Sequence, residues 1–191
     1  MKTLILASAS PRRRELLALT GIPFIVDPSE YPEDLSLQLE PPALARHLSR
    51  EKAKAVAGKY RHGVIIAADT IVVAGRSVLG KPRSKSEAKE MLRALSGKAH
   101  TVITGYTVLD TGTGGYVSKA VATKVWFKRL TDEEINAYVK TGEPLDKAGA
   151  YAIQGLGSLI VKKIEGDYFN VIGLPLSDLA ESLKKFGIRI L

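Results

Sequence analysis

A short apolar run over residues 2–7 stops at Ser8 and predicts a buried strand. Ser10 and Pro11 then predict a helix through Thr20, with Ser10 as N-cap, Pro11 in the first turn and Gly21 ending it. Residues 22–26 read as a second strand. The acidic stretch 27–40, carrying Pro28 and Pro32, reads as irregular, either a functional loop or a linker. Pro41-Pro42 opens a helix to about Tyr60, with Leu44 and Leu48 on one face and Arg50, Lys52, Lys54 and Lys59 elsewhere. A continuous apolar run over 63–68 is of strand type. Asp69-Thr70 interrupts it, residues 71–74 resume it, and Gly75 turns the chain. Residues 84–95 form an amphipathic helix closed by Gly97, and 101–109 and 116–127 are two long strands around Gly112-Thr113-Gly114-Gly115, which suggests a hairpin. Thr131-Asp132-Glu133-Glu134 has the capping-box spacing for a short helix ending near Gly142. A glycine-rich polar loop over 143–157, a strand over 158–164 and a last helix from about Pro175 to Phe186 complete the pattern. With no internal repeat and no linker boundary between domains, the mixture predicts one α/β domain over residues 1–191.

Composition changes this picture in three ways. The 191 residues, 45% hydrophobic, suffice for a buried core, and no apolar run reaches the roughly 20 residues of a membrane span. The apolar start is too short for a secretory signal, so the expected setting is cytoplasmic, with no membrane partner. The absence of cysteine excludes disulfides, thiolate zinc sites and a cysteine nucleophile, leaving oxygen and nitrogen to hold any metal. The net charge of +8 favours an anionic partner such as nucleotide, nucleic acid or acidic lipid, and equally suits a merely soluble surface.

The chemistry concentrates at a few points. A strand ending in small residues and feeding a helix N-terminus aims free N–H groups and the positive end of the helix dipole at one spot, where phosphate binds. Ser8 and Ser10 add hydroxyls there, and Arg12 and Arg13 add forked cationic donors; an ordinary capped helix with a basic first turn is the other reading. Asp69 is a carboxylate in an apolar strand. Burial raises the pKa of such a group and calls for a metal, a lysine or a water to act on, unless Asp69-Thr70 simply caps a turn. Lys52, Lys54 and Lys81 are further cations, Lys81 lying between Gly80 and Pro82, and Glu33 is a candidate oxygen ligand beside Asp69 for magnesium or manganese. The segment from Asp146 to Gly155 suits base recognition. There Gln154 can both donate and accept, and Tyr151 either stacks or fills the core. His47, His62 and His100 lack ligand spacing.

Together, the segments Leu4-Ile5-Leu6-Ala7-Ser8-Ala9-Ser10-Pro11-Arg12-Arg13, Glu51-Lys52-Ala53-Lys54-Ala55, Ala68-Asp69-Thr70, Gly80-Lys81-Pro82, Leu95-Ser96-Gly97, Asp146-Lys147-Ala148-Gly149 and Gly173-Leu174-Pro175 resemble the Maf family, in family order along nearly the whole chain. The resemblance implies a mixed α/β fold related to inosine triphosphate pyrophosphatases. That fold has an elongated twisted sheet, flanking helices and two lobes around a cleft, in a homodimer. It further implies hydrolysis of a nucleoside triphosphate to monophosphate and pyrophosphate with a divalent cation, with Asp69 as proton acceptor. Arg12, Thr70 and Gln154 match the family branch acting on dTTP and UTP. The branch acting on 7-methyl-GTP carries tryptophan, glutamine and glutamate at those places. The family's acidic pair near Glu33 is broken here by Pro32.

The expected mechanism lays the triphosphate across Ser8, Ser10, Arg12 and Arg13, balanced by Lys52 and Lys81, with Asp69 and Glu33 holding the metal. Asp69 takes the proton of the attacking water. A non-enzymatic nucleic-acid-binding protein is the competing class. Its support is the charge, and no RNP-like aromatic set, zinc spacing or repeated basic face accompanies it, so no nucleic-acid partner is expected. A modified purine nucleotide is the alternative substrate.

Overall fold

The computed structural model describes residues 2–191. The strands are β1 (Thr3–Leu6), β2 (Phe24–Val26), β3 (Gly63–Ala74), β4 (Ser77–Leu79), β5 (Ala99–Asp110), β6 (Tyr116–Phe127) and β7 (Val161–Glu165). The helices are α1 (Pro11–Ala18), α2 (Pro41–Ala57), α3 (Lys85–Leu95), α4 (Asp132–Lys140), α5 (Tyr168–Ile172) and α6 (Leu176–Lys184). The sheet runs β2-β1-β3-β5-β6-β7, with β4 paired to β3. The chain is therefore mixed α/β, as its alternating periodicities predict.

It divides into two compact units. The first comprises the chain up to Asp69 with Thr104–Val121 and Gly173–Leu191, and the second Thr70–Ile103 with Ala122–Ile172. β3, β5 and β6 contribute residues to both.

In the first unit β1 lies parallel to both β2 and β3, with Ile5 opposite Ile25 and Ile65. Parallel neighbours require crossovers, which α1 and α2 supply. Ile5, Ala7, Ala53, Val56, Ile65, Ala67 and Leu109 pack into one core cluster. Gly105 on β5 admits the α2 backbone so closely that a Cβ there would lie 2.1 Å from the Ala45 carbonyl. α1 starts as the sequence dictates. The Ser10 hydroxyl accepts from the Arg13 N–H, and Pro11, which has no N–H to leave unpaired, occupies the first turn.

In the second unit Val72, Ala88, Leu92, Leu95, Val125, Phe127, Ile135 and Val139 belong to a larger core. The Thr131 capping box forms in full, with the Thr131 hydroxyl and the Glu134 carboxylate each accepting the other residue's N–H. Tyr151 fills this core. Its ring meets His100 and Phe127 edge-on at centroid distances of 5.3 and 4.7 Å, and its hydroxyl lies 2.8 Å from His100 Nε2.

The structure corrects several sequence expectations. Asp69-Thr70 does not cap a turn, because Gly63–Ala74 is one unbroken strand. Lys52, expected away from the face of Leu44 and Leu48, is buried in α2 as they are. The strand expected over 158–164 starts later, at Val161, since Gly155–Leu159 closes into a 3-10 turn. β4 and α5 have no counterpart in the periodicity. α5 is only five residues long, its Asn170 N–H bonded to the Asp167 carboxylate.

Candidate functional site

The end of β1 leaves Ser8 buried just before α1, and the Ser8 hydroxyl accepts from the Ser10 N–H at 3.2 Å. Arg13, one helical turn on, sends Nη1 back to Ser8 Oγ at 3.3 Å and Nε to the carbonyl of Gly173 at 2.9 Å. The first turn of α1 contains no acidic residue, so Arg12 and Arg13 add positive charge where the helix dipole is already positive. Burial lowers the Arg13 pKa, with Arg12 acting in the same sense, whereas Asp69 and Glu33 act to raise it. An anion at this helix start would relieve the local excess of positive charge.

Asp69 is 3% exposed. Its carboxylate accepts a short hydrogen bond from the Lys52 ammonium, which also reaches Glu33 Oε1 at 2.7 Å. α2 delivers Lys52 to this point on its buried face, the loop before α2 delivers Glu33, and β3 delivers Asp69. Burial pushes the Asp69 carboxyl above its ordinary value and Glu33 adds to the push. Lys52, by charge and by hydrogen bond, and Arg13, by charge, pull it back. A desolvated carboxyl whose pKa is raised, with adjacent cations favouring its charged form, has the character of a general base.

Two carboxylates thus converge on one cation, here the Lys52 ammonium. Among the described residues no group of three or more His, Cys, Asp or Glu that could hold a metal ion is assembled. The Glu33 and Asp69 oxygens nevertheless suit magnesium or manganese, which need only one or two carboxylates when phosphates and water supply the remaining ligands.

Of the sequence-derived candidates, Ser8, Ser10, Arg12, Arg13, Glu33, Lys52 and Asp69 fall in the first unit. Arg12 is half-buried in the first turn of α1. Thr70, Lys81 and Gln154 fall in the second unit, Thr70 half-buried in β3 and both Lys81 and Gln154 exposed. Within that unit the Gly149 N–H donates to the Gly80 carbonyl at 3.0 Å, joining the Gly80-Lys81-Pro82 segment to Asp146-Lys147-Ala148-Gly149. Gly149 has φ +68°, and a Cβ there would press on Val72 at 3.0 Å, so the close approach and the left-handed turn both demand glycine.

The family model described as Maf-like protein matches residues 3–186. The chain belongs to the Maf family. Curated relatives align with it over essentially their whole length. A protein of Thermoanaerobacter sp. (strain X514) is 53% identical over 98% of this chain and 99% of its own. One of Alkaliphilus oremlandii is 51% identical over all of both chains, and one of Methanosarcina barkeri is 50% identical over all of this chain and 97% of its own. Each of the three is named dTTP/UTP pyrophosphatase.

One Maf segment acquires a structural reason that the sequence did not give it. Gly173 of Gly173-Leu174-Pro175 takes φ 127° and offers its carbonyl to Arg13 Nε. The glycine and its motif were visible in the sequence, but nothing there paired them with an arginine 160 positions earlier.

Proposed function

We propose that this chain hydrolyses dTTP and UTP to the nucleoside monophosphate and pyrophosphate. The observation that carries the chemistry is the buried Asp69 hydrogen-bonded by Lys52 in the unit that also presents Ser8, Ser10 and Arg13 at the start of α1. The substrate class is supported by relatives of about half-identical sequence that carry that name.

In this reading Ser8, Ser10, Arg12 and Arg13 bind the triphosphate, with Lys52 and Lys81 balancing its charge. Glu33 and Asp69 would hold a divalent cation, which would neutralise phosphate charge and that of the departing pyrophosphate. Asp69 accepts a proton from water as its oxygen bonds to the α-phosphorus; the bond from that phosphorus to the bridging oxygen breaks and the electron pair leaves with pyrophosphate. Lys52, by its charge and its hydrogen bond, favours the ionised form of Asp69 against the effect of burial. Arg12, Thr70 and Gln154 select the pyrimidine, Gln154 by offering both a donor and an acceptor to the base edge. A homodimer and a cytoplasmic setting, where such nucleotides are found, belong to the same proposal. The dimer is checked by a sedimentation mass of twice the 20.6 kDa chain.

The test is a nucleotide panel with magnesium or manganese, measuring each product. Monophosphate with pyrophosphate from dTTP and UTP is the expected result. Diphosphate with orthophosphate would overturn the position of attack, and preference for 7-methyl-GTP would overturn the base. Asp69→Asn is expected to lower kcat by about 10³-fold or more while nucleotide binding persists. Near-normal turnover by a folded Asp69→Asn protein would remove Asp69 from the mechanism.

A further inference from the structure

Glu143 follows α4 and takes no part in the chemistry above, yet both of its carboxylate oxygens are engaged. Oε1 accepts from the Tyr138 hydroxyl and from the Gly157 N–H, each at 2.9 Å, and Oε2 accepts from the Leu156 N–H at 3.1 Å. The Tyr138 hydroxyl in turn accepts from the Ala152 N–H at 3.1 Å. The two side chains therefore grip the backbone on both sides of Gln154, whose own side chain is exposed. The grip leaves no room for other side chains. A Cβ on Gly155, at φ +64°, would lie 2.7 Å from Glu143 Oε2, and one on Gly157 would lie 2.1 Å from the Ala152 carbonyl oxygen and 2.6 Å from Tyr138 Oη.

Burial pushes the Glu143 carboxyl up, but the Gly157 N–H, the Tyr138 hydroxyl, the Leu156 N–H and the charge of Lys147 more than offset it and leave the group below its ordinary value. The bonds are therefore made to a carboxylate, and charge-assisted bonds of this kind are stronger than neutral ones. Tyr138 is buried in α4, so the grip is anchored to a rigid element. A long, rotatable glutamine reads a base edge only if its backbone is fixed to a fraction of an ångström.

We infer that Glu143, acting with Tyr138, is a positioning residue that fixes the backbone of the Gln154 segment and so sets discrimination among nucleobases. The inference rests on the base-selecting role proposed for Gln154.

The test compares kcat/KM for dTTP, UTP, CTP and GTP in the full chain and its variants. Glu143→Gln sets an amide N–H₂ against a backbone N–H or the tyrosine hydroxyl, and is expected to lower the dTTP-over-CTP ratio about tenfold. The loss is expected mainly in KM, with kcat on dTTP kept within about threefold. Tyr138→Phe keeps the ring, removes the hydroxyl and loses discrimination in the same direction, deciding the matter alone if Glu143→Gln does not fold. Gln154→Ala loses discrimination to a similar extent, and the Glu143→Gln/Gln154→Ala double variant loses little more, since both act through one contact. Unchanged ratios in Glu143→Gln and Tyr138→Phe, beside a lowered ratio in Gln154→Ala, would overturn the positioning role and leave Gln154 as the base reader. An equal fall in kcat on all four nucleotides in the Glu143 and Tyr138 variants would overturn it too. Parental discrimination in Gln154→Ala would overturn the role of Gln154 and this inference with it.

Discussion

Arg13 holds its charge in the first turn of α1, against the helix dipole, and two polar partners fix its guanidinium there. The fork matters because Nε and Nη1 point to different acceptors at once, the Gly173 carbonyl and the Ser8 hydroxyl. Lysine keeps the charge and loses the fork. Arg13→Lys is therefore expected to lower kcat/KM for dTTP by about 30-fold or more, equivalent to about 2 kcal/mol for the lost charged hydrogen bonding. Steady-state kinetics on the folded variant checks this, and a near-parental value would show that charge alone suffices. His100 offers a second residue-scale test. Burial lowers its pKa from 6.5 to about 4, and its Nδ1 has no hydrogen-bond partner among the described residues. The unfolded chain therefore takes up a proton at a pH where the folded chain refuses it. The associated stability is complete above the unfolded value and disappears as pH falls toward the folded one, a loss of about 3 kcal/mol. Urea denaturation between about pH 7 and 4.5 is expected to show a steeper decline for the parent than for His100→Gln.

At the scale of elements, α2 and β5 pack backbone against side-chain-free backbone. The missing Cβ of Gly105 is what lets Ala45 approach, and Gly105→Ala puts a methyl group 2.1 Å from the Ala45 carbonyl. Neither partner is a flexible side-chain end, so the helix itself must shift. We expect destabilisation of about 2–3 kcal/mol by urea or thermal unfolding. Since α2 carries Lys52, activity should fall beyond what the remaining folded fraction explains. Elements were also where periodicity read best and failed for definite reasons. β6 spans Tyr116–Phe127, the bounds expected after the glycine-rich turn at 112–115, and the Thr131 cap forms because its spacing is a local hydrogen-bond pattern. β7 begins later than the strand expected over 158–164 because Ser158 and Leu159 are held in a turn, the Ser158 hydroxyl donating to the Gly155 carbonyl. β4 is only three residues long and depends on pairing with Val72–Ala74, so no window of its own sequence announces it.

Across the whole molecule, the net charge of +8 and the cations gathered at α1 attract a polyanionic substrate over distances that salt screens. Raising ionic strength from about 0.05 to 0.5 M is expected to lower kcat/KM for dTTP several-fold, mostly through KM, with little change in kcat. An unchanged KM would make the charge a matter of solubility.

The amino-acid sequence by itself determined the alternation of strands and helices, the capped and basic start of α1, the isolation of Asp69 among apolar neighbours, and the family. Each of these is written in residues close together along the chain or in the order of short motifs. The tertiary structure alone decided that Lys52 is buried between Asp69 and Glu33, that Gly173 holds Arg13, and that Glu143 and Tyr138 grip the Gln154 segment. Periodicity says which face of an element is apolar. Which charge a buried charge meets depends on how distant segments pack, and burial is affordable for Lys52 and Asp69 only because folding brings them together.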